Sequence, residues 1–509
     1  METVSHTFYK KVRPILNIIL ISLAIILPQL GCKKLVEIGP PTQSIVESSV
    51  FTSDYTAIAV LTDIYAYMSR SGVFTGSGGI PVITGLSSDE LVLHGGITNA
   101  RFIAHYQNDL RQERGLTVTN AGAEYWSIFY NYVYKCNAAI EGLNSENAAS
   151  LIPAVRKQLT GEAYFLRSFL YFNLVNIFGE VPLATSTDYT INLLLPKSST
   201  KEIYRLIIED LKKSQQLLSN NYLSTDLISS STERVRPTKW VADALLARVY
   251  LYNEEYANSE IEASKILNNT PLFGLGSLTS IFLKNSQEAI WQLQPTNLYF
   301  NTEDARTFVI PPTGPSNTSS ASPANPVYLS DQLLSSFEAN DQRAVPGNYI
   351  DSTIYKVSAT VTDTVYYPYK YKKNTRDTSI KTIASISEYL MVFRLTEQFL
   401  IRAEARAKQN NISGAQADLN AIRKRAGLGN TPAADKESLL YAILHERQVE
   451  LFAEWGHRWF DLKRTGQINS VMNIATPLKG GSWETTDQLY PIPIDDILKS
   501  PNLVQNPGY

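Results

Sequence analysis

Cysteine is almost missing from this chain of 509 residues; Cys32 and Cys136 are the two it has. A disulfide-stapled fold is excluded, and so is any site built on paired Cys-x-x-Cys ligands. Charge of one sign is missing as well. With 46 Lys and Arg against 48 Asp and Glu the net charge is -2, so no basic field draws nucleic acid. The Gly-x-x-x-x-Gly-Lys-[Ser/Thr] phosphate loop and the Gly-x-Ser-x-Gly nucleophile turn are absent. The glycine-rich pieces GSGGI and LHGG lack the strand–turn–helix setting in which such loops bind phosphate or an oxyanion.

What the chain does have is core material. Apolar residues make up 44% and charged residues 18%, the balance of a globular protein long enough to bury a large core. Its 29 tyrosines stand out, because a phenol offers a flat apolar face and a polar tip, useful in helical cores and on sugar-stacking surfaces alike. Near the start, Lys10, Lys11 and Arg13 precede the apolar run ILNIILISLAIIL at 15–27. That run is short for a membrane span and fits the apolar segment of an export signal. Gly31 then stands directly before Cys32, which resembles a bacterial lipoprotein cleavage site, with Gln29 where an aliphatic residue is usual. Residues 1–31 are expected to be removed and Cys32 to carry lipid; several acyl chains hold a protein on a bilayer where one does not. An ordinary secretory signal and a single N-terminal anchor helix are the alternatives left open.

Helical periodicity dominates the chain beyond residue 50. It marks residues 55–68, 123–143 and 201–218, and a long helix that Pro153 opens and Gly179 closes. Residues 236–269 and 395–428 each read as a helix–turn–helix pair. Ala247 and Ala257 in the first, and Ala403, Ala405, Ala415 and Ala417 in the second, have the small-residue spacing of tetratricopeptide repeats. Residues 273–389 interrupt the pairs with Pro, Ser, Thr and Asn and with strand-like runs, EAIWQLQ and TVYYPYKY. The expected division is a signal peptide (1–31), a tether (32–50), a helical part (51–272), a loop-and-hairpin insertion (273–389) laid over the scaffold, and a second helical part (390–509).

The stretch LHERQVELFAEWGHRWFDLKRTG, residues 444–466, crowds charge beside aromatics. On one helix Glu446, Glu450 and Glu454 would share a stripe, with Arg447 in reach of Glu450 and Arg458 in reach of Glu454. Phe452, Trp455 and Trp459 form an apolar stripe. A zinc-protease pattern fails, because Val449 stands four residues after His445, and His457 has no partner in the sequence. Interleaved arginines hold such carboxylates ionised, unsuited to acid–base work. A structural set is expected, Glu446, Arg447, Glu450, Glu454, Trp455, Arg458, Trp459 and Asp461, with no catalytic residue, metal ligand or cofactor.

A series of motifs carries a further resemblance. CKKLVEI, LSSDELV, YWSIFYNYVYKCNAAIEGL, GEAYFLRSFLYFNLVNIFGEVPL, RLTEQFLIRAEARAK with DLNAIRKRAGL, ERQVELFAEWGHRWFDLKRTG and YPIPIDDILKSPNLVQNPGY stand in one order. Together they resemble the SusD/RagB outer-membrane lipoproteins of Bacteroidota nutrient-uptake systems, over nearly the whole chain. The resemblance implies a mainly α fold, a SusD-like superhelix of tetratricopeptide-like helix pairs with an inserted loop and short-strand ligand region. It implies a lipid-anchored protein facing the cell exterior, without catalytic activity. Such a protein captures an oligosaccharide, or in some branches a peptide, and acts as a hinged lid on a SusC-like TonB-dependent outer-membrane transporter.

Starch-binding members carry an arc of aromatics, with Trp prominent, after the SDE motif. Here residues 91–109 contain no Trp; the six stand at 126, 240, 291, 455, 459 and 483. By position, the ligand-contacting candidates are His94, Asn99, Arg101 and Tyr106, with Tyr299, Phe300 and Arg306 in the insertion. A lipid-anchored glycoside hydrolase and a periplasmic repeat scaffold are the competing readings.

Overall fold

The longest stretch of helical periodicity becomes the spine of the fold. Pro153–Phe178 starts on a proline whose missing N–H costs nothing at a helix start, and ends at Gly179 in a left-handed conformation (φ 76°). From Gln158 onward every residue of it except Tyr164 is buried. Ala123–Asn144 packs on one side of it and Thr200–Leu217 on another, so a helix apolar on nearly all faces has no exposed stripe to keep polar. The computed structural model describes residues 50–70, 72–111, 122–316, 320, 322–356 and 362–509. Phe51–Tyr509 form one unit, and the expected signal, Cys32 and the tether lie outside the described residues. Among the described residues no helix is long and apolar enough to cross a membrane.

The mainly α, repeat-pair architecture is present. Lys239–Tyr252 and Tyr256–Leu267 form the first helical hairpin, and Leu395–Lys408 and Ile412–Arg425 the second. The interruption between them is one of sequence only. Tyr256–Leu267 packs directly on Leu395–Lys408, so in space the array runs on unbroken. Ala247, Leu251 and Ala263 share a core with Ile401, the small residues letting the helices close up. Arg248 grips Glu397 across the same junction, Nε to Oε1 at 2.6 Å and Nη2 to Oε2 at 2.7 Å. Lys436–Leu451 then packs on both helices of the second pair through Leu439 and Ile443.

The insertion is partly core, which differs from the expectation of a surface layer. Its first strand, Ala289–Leu293, is wholly buried and pairs antiparallel with Leu390–Arg394, which leads straight into the second helix pair. Trp291 fills the space between Tyr65, Phe165 and Phe169, and stacks on Phe393 with ring centroids 6.2 Å apart. A run apolar on both faces suits burial on both faces. The hairpin Ile350–Lys356 with Thr362–Pro368 does lie outside the helices. Val365 and Tyr367 alternate inward around exposed Tyr366 and meet Val309, Ile310 and Tyr355.

The charge-rich stretch is not one helix. It is helical to Leu451 and again over His457–Arg464, and the turn between them takes left-handed conformations at Ala453 (φ 54°), Trp455 (φ 44°) and Gly456 (φ 76°). A bulky residue in that region is strained and persists when its surroundings hold it. Trp455 is held by its Nε1–H bond to the Met391 carbonyl at 2.7 Å and by an edge-on contact with Phe169.

Candidate functional site

Long-range strand pairing places the first part of the site. Leu91–Leu93, the apolar run after the SDE motif, pairs antiparallel with Val327–Leu329 in the register Leu91↔Leu329, Val92↔Tyr328 and Leu93↔Val327. His94 continues the pairing through its backbone N–H to the Pro326 carbonyl at 2.9 Å. The His94 ring lies against Tyr355, centroids 5.5 Å apart, and Nε2 meets the Tyr355 hydroxyl. Because the Gly96 N–H donates to Nδ1 at 3.1 Å, Nε2 carries the proton and donates to that hydroxyl. Burial lowers the His94 pKa and keeps the ring neutral.

The next helix, Ala100–Gln107, is capped by Asn99, whose side chain accepts from the Arg101 N–H at 3.0 Å and donates to the Ser320 carbonyl at 3.2 Å. One face of this helix buries Phe102, Ala104 and His105; another leaves Tyr106 half-exposed, with Lys479 over its ring at 5.4 Å. Tyr106 is in electrostatic reach of Tyr328. The Arg101 guanidinium turns to the scaffold, where it pairs with Glu124 at 2.5 Å. His94, Asn99, Tyr106 and Tyr328 thus form a partly exposed rim of aromatic faces with amide and imidazole edges, and Tyr355 is the buried ring against which His94 rests. Tyr328 and Tyr355 are not among the residues expected from sequence. Nothing local marks them, since a lone Tyr in PVYL or IYK reads only as strand.

The second group of candidates sits on the other side of Asn325. This residue is buried, left-handed (φ 53°), and its amide donates to the carbonyls of Arg306 (2.9 Å), Thr307 (3.2 Å) and Val309 (2.8 Å). Its neighbour Pro326 is the one that holds His94. Arg306 is exposed, pairs with Glu303 at 2.8 Å and covers the Phe300 ring at 4.3 Å. Arg376 covers Tyr299 in the same way at 4.7 Å. Guanidinium over an aromatic face presents donors beside an apolar plane, which suits hydroxyls or carboxylates of a bound ligand.

The charge-rich stretch lies inside the protein. Arg447 and Arg458 do not pair along a helix as expected: Arg447 shares a helix with Glu450 but turns to Asp461 while other arginines take Glu450, and the turn at 452–456 takes Glu454 off the helix that carries Arg458. Arg447 donates to Asp461 at 2.7 Å, and Arg458 takes both oxygens of Asp89. Glu450 is the hub. It accepts from Arg343 (2.9 Å), Arg394 (2.7 Å), Arg425 (2.6 Å) and the Tyr349 hydroxyl (3.0 Å). Burial pushes the Glu450 carboxyl up, but Arg425, Arg394, Arg343 and Lys370 outweigh it and hold the group well below its usual range. Glu446 takes Arg343 at 2.6 Å, and Glu454 binds Arg394 and Lys370. Trp459 is fully buried beside Trp483 and Tyr490. Every carboxylate in the set is paired with a guanidinium or ammonium, an arrangement that holds segments together. Among the described residues no group of three or more His, Cys, Asp or Glu could hold a metal ion.

An unbroken helical superhelix with a loop-built aromatic rim and an ion-paired interior defines a scaffold that presents a binding face. Residues 336–509 match the profile of the SusD family, and residues 60–251 match a second profile, described as starch-binding and associating with the outer membrane. The SusD-like protein P38 of Formosa agariphila is 25% identical over 438 residues, 75% of this chain and 79% of that one. A SusD superfamily crystal structure from Parabacteroides distasonis superposes with a TM-score of 0.70 at 23% identity, covering 89% of this chain and 99% of that one. The surface glycan-binding protein A of Bacteroides uniformis gives 0.69 at 20% identity, with coverage of 89% and 99%. The chain belongs to the SusD/RagB family.

Proposed function

We propose that this protein captures an oligosaccharide at the outer surface of the cell and hands it to a SusC-like TonB-dependent outer-membrane transporter, without chemically altering it. The observation that carries the reading is the rim of Tyr106, Tyr328 and His94, aromatic faces edged by Asn99, with His94 held from below by buried Tyr355, together with the Arg376–Tyr299 and Arg306–Phe300 pairs. Sugar rings stack their apolar faces on such planes while their hydroxyls meet amide and guanidinium donors. The family profile described as starch-binding and the likeness to a glycan-binding surface protein favour a glycan over a peptide. In this reading residues 51–272 and 390–509 are the scaffold, and residues 273–389 supply most of the ligand face. Cys32 carries the acyl chains that hold the protein on the outer membrane, facing the cell exterior, and nucleic acid is not a partner.

The test is calorimetric titration of residues 33–509 with pooled plant and algal oligosaccharides, and with peptides in a parallel arm, followed by chromatography of the mixtures. Saturable heat with glycans and unchanged chromatograms are expected. New reducing ends would identify a hydrolase, and binding in the peptide arm alone would move the ligand class.

A further inference from the structure

One apolar face belongs to neither the rim nor the interior. Tyr189, Ile191, Leu193 and Leu194 lie close together on the segment after the long spine helix, each between 46% and 78% exposed. The C-terminal strap lies beside them. Ser500 Oγ donates to the Leu193 carbonyl at 2.8 Å and Asn502 Nδ2 to the Leu194 carbonyl at 2.7 Å, so Leu498 (73%) and Val504 (63%) extend the same surface. Exposed large apolar side chains are ordinary when scattered; six in one tied patch call for a cover.

The point where the described chain begins says what covers it. The Phe51 ring packs on Gly142, where a Cβ would stand 2.2 Å from a ring carbon. The residue before that glycine, Glu141, accepts the Thr187 N–H at 2.9 Å and the Thr187 hydroxyl at 2.5 Å. Asn192 in turn donates to the Ser186 carbonyl at 2.9 Å, which fastens the apolar segment to the same spot. The chain therefore enters the folded unit at the edge of this face. Cys32 precedes Val50 by 18 residues, a covalent reach of no more than ~65 Å.

We propose that this face rests on the lipid bilayer, an inference that depends on the anchoring of Cys32 proposed above. An anchor that confines the body near the membrane raises the effective concentration of lipid at the face where the chain enters, so a patch too small to bind alone becomes sufficient. The side chains suit the boundary, with aliphatics to insert and the Tyr189 phenol to sit at headgroup level. Charges of both signs stand close to the patch in sequence, Asp188, Asp495 and Asp496 against Lys197 and Lys499, so the contact is expected to be apolar and indifferent to salt.

The test uses the full acylated chain in vesicles of phosphatidylethanolamine and phosphatidylglycerol, with and without brominated acyl chains. Mass spectrometry first establishes that Cys32 is acylated. Ile191→Trp is compared with Ile354→Trp, an exposed position on the hairpin. Bromolipid is expected to quench the fluorescence added by Ile191→Trp by about half, at low and high salt alike, and to leave that of Ile354→Trp unchanged. An unacylated Cys32 removes the anchoring reading and this inference with it. Acylated protein in which Ile191→Trp is quenched no more than Ile354→Trp, or in which that position crosslinks to an outer-membrane protein in place of lipid, overturns this inference alone.

Discussion

Arg458 clasps Asp89 with two parallel hydrogen bonds, Nε to Oδ1 at 2.8 Å and Nη2 to Oδ2 at 2.7 Å, across 369 residues of chain. Both side chains are buried. The pair locks the turn that begins the rim to the turn that strains Trp455. Burial alone would raise the Asp89 carboxyl; the Arg458 guanidinium lowers it below its usual range.

Arg458→Ala leaves a buried carboxylate without its partner, a loss of about 3–5 kcal/mol. The midpoint of guanidinium denaturation should fall accordingly, while glycan affinity of the folded fraction stays unchanged. Arg458→Lys should recover only part, because an ammonium cannot span both oxygens. A stable Arg458→Ala protein with lost affinity would place Asp89 and Arg458 in the ligand site.

Glu450→Gln removes the charge on which three guanidinium groups converge, and it should cost at least as much, about 3–5 kcal/mol. Glu446→Gln, whose one close partner is Arg343, should cost less. Equal losses for the two variants in parallel denaturation curves would show that Glu450 is not the hub.

Glu90 adjoins Asp89 and faces the opposite situation. Burial and the neighbouring Asp89 push its carboxyl up from 4.5 to about 8, and its Oε1 has no hydrogen-bond partner among the described residues. The folded protein thus holds a proton that the unfolded chain releases near 4.5. The contribution is fully present below that value and is lost as the pH rises through about 8. Glu90→Gln should stay level where the parent declines between pH 5 and 9, and be the more stable of the two at pH 9. Parallel pH–melting curves would contradict the assignment.

Tyr328→Ala should weaken glycan binding about tenfold, the value of one good stacking contact, and leave the melting temperature nearly unchanged because the ring is half-exposed. Calorimetric titration reads both the affinity and the fraction competent to bind. Unchanged affinity would remove Tyr328 from the rim.

The helices are legible in the sequence because their signals are local. Pro153, Gly179 and the alanines of the two pairs act within a turn or two of themselves. The charged stretch is legible in kind, as structural, but not in its pairing. Three left-handed residues in the 452–456 turn break the helix, and no spacing rule sees Arg343, Arg394, Arg425 or Asp89 arriving from distant segments. Motif position picks out His94, Asn99 and Tyr106 as candidates, and it does not point to Tyr328 or Tyr355, which the fold brings beside them. Tyr328 reaches His94 through the Leu91–Leu93 and Val327–Leu329 pairing and Tyr355 through the Ile350–Lys356 hairpin strand, both facts of topology.

The pairing of Ala289–Leu293 with Leu390–Arg394 brings the two ends of the intervening segment side by side, against a helix array that is already continuous. Lengthening an exposed loop between them costs only the slowly growing entropy of closing a longer loop. The molecule is therefore built like a handle with a replaceable head. Exchanging the exposed loops of residues 294–389 would leave the ion-paired interior alone only if a graft carried across the residues that bond into the scaffold, Asp304, Glu338, Asp341, Arg343, Tyr349, Lys370 and Tyr371 among them.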